Sequence, residues 1–125
     1  MKYSINNYTA DELKEALRAI DSLIRKSEKA QQKMKAGTWQ HRMLGENLKA
    51  LRHVSVLMNR DLVERDSFTD EDSKEALNAI TSMISKTVNA QSKFLPKTSQ
   101  HTLLKNRLNA LHTAETLIKM ELKKG

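Results

Sequence analysis

Two histidines and four glutamines recur at matched positions in this 125-residue chain, amid a crowd of lysines and arginines, and these are the residues with chemistry to offer. Thr38-x-Gln40-His41 is repeated as Thr98-x-Gln100-His101. Paired imidazoles suggest a metal first. A metal centre in a helical bundle adds inward carboxylates and Glu-x-x-His pairs, whereas neither His41 nor His101 has a carboxylate within a turn of it. No metal is therefore expected. Each His reads as an N3 residue making polar contacts where core meets solvent, with a proton- or anion-responsive role as the sharper alternative. Gln31 and Gln91, with Ser27 and Thr87, place polar groups on an otherwise apolar stripe. Buried amides need partners, so these should hydrogen-bond across an interface and fix register; a ligand cavity is the other reading. Ser55 and Glu115 hold matching core-type positions, and Glu115 reads as a rim carboxylate.

Positive charge collects around the same residues. Residues 25–49 carry seven cations against two acids, a net +5, and residues 85–109 carry five cations and no acid, again +5. The whole chain is only +7, so the remainder is acidic. Lys33, Lys35 and Lys93 suit a helix C-terminus, where cations complement the macrodipole. Arg42, Lys105 and Arg107 are expected in the first turns of the following helices, where the dipole is already positive and an anion is welcome. Trp39, the only tryptophan, stands among them; it could stack on a base, anchor a protein partner, or fold back onto Met34 and Met43. Trp39, Arg42, Lys33, Lys93, Lys97, Lys105 and Arg107 thus form a candidate anion- or partner-binding set, and Gln31, Gln91, Gln40, Gln100, His41 and His101 a polar cluster beside it. Catalytic patterns are missing: no Gly-rich phosphate loop, no Cys nucleophile, no Gly-x-Ser-x-Gly. The expectation is a non-enzyme without a cofactor.

Helices must position these groups. Shifted by 60, residues 8–62 match residues 68–122 at 22 of 55 positions without a gap, so one supersecondary unit is used twice. Leu13, Leu17, Ile20 and Ile24 begin a helix-spaced stripe that runs on through Ser27 and Gln31 to Met34, and His41, Leu44, Leu48, Leu51, Ser55, Met58 and Leu62 make a second. Ile80, Met83, Ile84 and Phe94, then Leu104, Leu108, Leu111 and Ile118, repeat both. Thr9 with Glu12 and Thr69 with Asp72 read as capping boxes, with Tyr8 and Phe68 before them. The first helix is expected to stop at Ala36-Gly37 and the third before Pro96, with Thr38 and Thr98 capping the second and fourth. Short loops, including one near Arg65 to Ser67, make each pair an antiparallel hairpin. The expected fold is all-α: an up-down-up-down antiparallel four-helix bundle made from a tandemly duplicated helical hairpin, one domain over 1–125. That order gathers both hairpin tips at one end. A closed monomer is favoured, with a homodimer of opened hairpin pairs as the rival.

No cysteine, no apolar run long enough for a membrane span and no apolar core in Met1 to Asn7 fit a reducing cytoplasm and exclude a membrane role. The first functional reading is a small adaptor or regulator whose basic tip end binds an acidic protein surface. The alternative is a nucleic-acid binder using that end for phosphate contacts, although its basic residues are not interleaved with aromatics. A third is a self-assembling or immunity-type helical bundle, by analogy of architecture alone.

Overall fold

The computed structural model describes residues 8–59 and 67–124. Among the described residues there are four α-helices and no strand: α1 (Ala10–Gln32), α2 (Trp39–Asn59), α3 (Asp70–Gln91) and α4 (Ser99–Lys124). The expected reach of the second stripe to Leu62, the connection at residues 60–66 and the segment Met1 to Asn7 lie outside the described residues. None of the helices is long and apolar enough to cross a membrane.

Helix starts follow local chemistry. The Thr9 hydroxyl accepts the Glu12 N–H at 3.0 Å while a Glu12 carboxylate oxygen accepts the Thr9 N–H at 2.8 Å. Thr69 and Asp72 repeat this at 3.0 Å in both directions. The bond from the Thr69 N–H holds the Asp72 carboxyl below its ordinary value. Thr38 and Thr98 accept the N–H of His41 and His101 at 3.2 Å and so cap α2 and α4.

The ends of α1 and α3 differ from expectation. Helix α1 stops at Gln32, capped at Lys33, and α3 at Gln91, capped at Ser92. In each case the chain tightens before the Gly or Pro is reached: Lys33 and Met34 donate to Ala30 and Gln31, as Lys93 and Phe94 do to Ala90 and Gln91. Met34 and Phe94 therefore leave their stripes and lie exposed in the loops. Gly37, with φ of 89°, serves the turn into Thr38 instead of closing α1, and Lys97 holds the equivalent place with φ of 73°.

Helix α1 packs on α2 and α4, and α3 packs on α4 and α2; α2 also meets α4 across the middle, whereas among the described residues no α-carbons of α1 and α3 lie within 8 Å of each other. The core follows this: Leu51, Val54, Leu57 and Met58 from α2 and Leu111, Ala114, Leu117 and Ile118 from α4 form its centre, flanked by Leu13 and Ile20 of α1 and Ile80 of α3. Each fully buried Ile or Leu contributes roughly 1.5–3 kcal/mol. The core fills only one half of the helices' length. Beyond Ile20 in α1 and Ile80 in α3, the stripe residues Leu23, Ile24, Met83 and Ile84 are merely half-buried, as are Leu44 and Leu104 early in α2 and α4.

Candidate functional site

The other half is where the candidate residues sit. Every large hydrophobic side chain exposed among the described residues (Met34, Trp39, Val88, Phe94, Leu95 and Leu103) lies in loop 33–38, in loop 92–98, or within five residues of one. Trp39 is 65 % exposed and Leu95 is 76 % exposed. Lys33, Lys35, Arg42, Lys93, Lys97 and Lys105 are exposed beside them. No ion pair holds any of these six among the described residues. Lys86, near the end of α3, donates to the sulfur of Met43, near the start of α2, at 3.4 Å. This contact ties the two loop regions together. Arg42 stands in the first turn of α2 as expected, but Lys105 and Arg107 lie in the second and third turns of α4.

The polar cluster divides. His41 and His101 are half-buried at N3 of their helices, and Gln40 and Gln100 are exposed. Gln31 Nε2 donates to the His41 carbonyl at 3.1 Å, linking α1 to α2. The equivalent bond from Gln91 to the His101 carbonyl is absent among the described residues. Gly45 explains the difference, because a Cβ there would stand 3.1 Å from Gln31 Nε2. The repeat has Lys105 at that place, which closes the approach. Thr87 bonds the Met83 carbonyl at 2.7 Å, and Glu115 sits between His112 at 3.6 Å and Lys119 at 3.9 Å as a rim carboxylate. No cluster of three metal-binding side chains occurs among the described residues.

Two grooves flank the bundle, one of about 680 Å³ between α1 and α4 and one of about 580 Å³ between α2 and α3. Every position lining the second is 60 residues from a position lining the first. Small residues open both: Ala16, Ala19 and Ala110 in one, Ala76, Ala79 and Ala50 in the other. Their polar furniture differs. The α2–α3 groove has Asn47 and His53 where the α1–α4 groove has Arg107 and Thr113. His53 is 5 % exposed, and its ring stacks on Phe68 with centroids 3.8 Å apart. Burial pushes the imidazole below its ordinary value, with Lys49 acting in the same direction and Asp72 and Glu121 opposing. Lys49 and Glu75 close that groove with an exposed 3.4 Å ion pair.

Sequence reasoning passed over His53, because it matches no motif and its repeat partner, Thr113, is not a histidine. The signal available was Phe68, an aromatic placed before the Thr69 cap, which needs an apolar or aromatic partner. Compared with known proteins, the chain matches no family model, no curated protein and no solved structure.

Proposed function

We propose that this chain is a non-catalytic adaptor or regulator that binds an acidic protein surface through the end of the bundle bearing its two interhelical loops. The observation that carries the reading is the coincidence of unpaired cations with exposed Trp39, Phe94 and Leu95. Exposed apolar side chains in a charged rim mark interaction sites, with a tryptophan as the anchor type most often found at their centres. The reading rests on a tandemly duplicated hairpin closed up-down-up-down. That arrangement is supported by the pairs Gln31–His41 and Glu28–Arg52 between α1 and α2, by Met43–Lys86 between α2 and α3, and by the two grooves built from positions 60 residues apart. Charge argues against a second copy at this end, since two +10 regions would repel, and for a partner rich in Asp and Glu.

The test is capture from the native cell by the wild-type chain and by a variant carrying Trp39→Ala, Arg42→Gln and Lys93→Gln. The variant should keep its melting temperature within about 2 °C, because exposed charges and an exposed ring contribute little to folding. It should lose the captured protein. Retention of the same partner refutes the reading. Binding to generic DNA or RNA that falls steeply with salt replaces it with the nucleic-acid alternative.

A further inference from the structure

The two interhelical loops share a backbone but not a surface. The Thr38 hydroxyl and N–H both donate to the Lys35 carbonyl, at 2.8 and 3.2 Å, and those of Thr98 both donate to the Leu95 carbonyl, at 2.8 and 3.3 Å. Gly37 and Lys97 hold the same left-handed conformation inside these turns. The turn itself needs no apolar side chain, since Lys35 stands in the first loop where Leu95 stands, largely exposed, in the second. Val88, in the last turn of α3, is likewise exposed where the matched residue of α1 is Glu28, paired with Arg52. With Phe94 and Leu103, most of the exposed large hydrophobics among the described residues belong to the α3–α4 hairpin. Folding does not account for them, because the α1–α2 hairpin makes the same turn with charged residues at two of these places. Clustered apolar side chains left in water mark a contact face.

That face is convex and stiff. Lys93 and Phe94 donate to the Ala90 and Gln91 carbonyls at 3.2 and 3.1 Å, and Ser92 Oγ donates to the Asn89 carbonyl at 2.7 Å. Pro96 has a fixed φ directly after Leu95. A side chain held out on a stiff turn fills a pocket and cannot form one, and its stiffness lowers the entropy lost on docking. Lys93 and Lys97 flank it in the same loop, exposed and without an ion pair among the described residues. Arg107, half-buried on α4 beside α1, takes no part. We infer that Leu95, with Phe94 beside it, is a knob that enters an apolar pocket rimmed by Asp and Glu on a folded partner. The inference rests on the reading of this end as a surface for an acidic protein and narrows the kind of partner, since a disordered acidic segment has no pocket to offer.

The experiment places a photo-crosslinking leucine analogue at position 95 of one full-length chain and a photo-crosslinking residue at exposed Gln40, beside Trp39, in another. Each is irradiated in an extract of the native cell, the labelled sites are mapped by mass spectrometry, and the labelled protein is purified for titration. One protein should be labelled from both positions, with the label from position 95 on an apolar side chain inside a folded domain and carboxylates around it. Against that purified protein, Leu95→Lys and Phe94→Lys should each weaken binding by about tenfold or more. Both changes add a cation, so a purely electrostatic contact would tighten instead. Leu95→Lys should keep the wild-type melting temperature, because the same turn already carries Lys35. Label from position 40 without label from position 95 overturns the knob and leaves the acidic-surface reading standing, whereas no label from either overturns both. Label from position 95 in an unfolded acidic segment, in a second copy of this chain or in nucleic acid overturns the inference, as does undiminished affinity of either variant.

Discussion

Lys97 sits in a backbone conformation that suits glycine, with φ of 73° against 89° at Gly37. A side chain in the left-handed region costs about 1–2 kcal/mol, and a glycine there loses part of that advantage through the greater freedom of its unfolded state. Lys97→Gly should therefore stabilise the chain by about 0.5–1 kcal/mol, measured by urea unfolding, and a loss of stability would contradict the strain. The reverse change, Gly37→Ala, should cost about 1 kcal/mol through the backbone alone, because a Cβ there meets no atom within 4 Å. Residue identities announced the turn at Gly37 but not at Lys97. There the conformation is imposed by Pro96 before it and the Thr98 cap after it, whose hydroxyl bonds the Leu95 carbonyl at 2.8 Å.

At the scale of elements, the helix starts were legible and the helix ends were not. A capping box is a four-residue pattern whose donors and acceptors are all local, so Thr9 and Thr69 could be read directly. The ends at Gln32 and Gln91 depend on where close packing stops, and the stripes continue through Met34 and Phe94 although those side chains are left exposed in the loops. The stack of His53 on Phe68 pins the second half of α2 to the entry of α3. Its imidazole has a lowered folded pKa against an ordinary value of 6.5, so the unfolded state takes up the proton first. The stability it confers is complete above pH 6.5 and is lost as pH falls through the depressed folded value. Unfolding free energy should fall between pH 7 and pH 5 by no more than about 1.4 kcal/mol per pH unit for this one proton. His53→Gln should flatten that part of the profile. An unchanged slope in the variant would assign the pH dependence to other groups.

For the whole molecule, the internal similarity was legible as 22 identities over 55 aligned positions. The polarised core was not, since both halves of each stripe carry similar residues and only packing distinguishes them. Leu51 and Val54 of α2 belong to the same core as Leu111 and Ile118 of α4, and each is at most 1 % exposed. A half-chain must uncover such side chains. The fragment Met1 to Glu64 should accordingly be largely unfolded, or should pair with itself; a stable, helical monomer by circular dichroism and sedimentation would show that each half has a sufficient core of its own. The candidate site was legible as a set of cations and one tryptophan. The half-buried place of Arg107 was not, because sequence places it only on a helix and says nothing of the groove left by Ala16, Ala19 and Ala110.

The confinement of the core to one half has a mechanical meaning. Ile20 is the last fully buried side chain of α1, and Gln32 ends the helix twelve residues later. At 1.5 Å per residue that is a lever of roughly 18 Å beyond the clamp. That stretch is held by the half-buried Leu23 and Ile24, by the Gln31–His41 bond and by the Glu28–Arg52 pair, so polar contacts carry there what buried side chains carry in the other half.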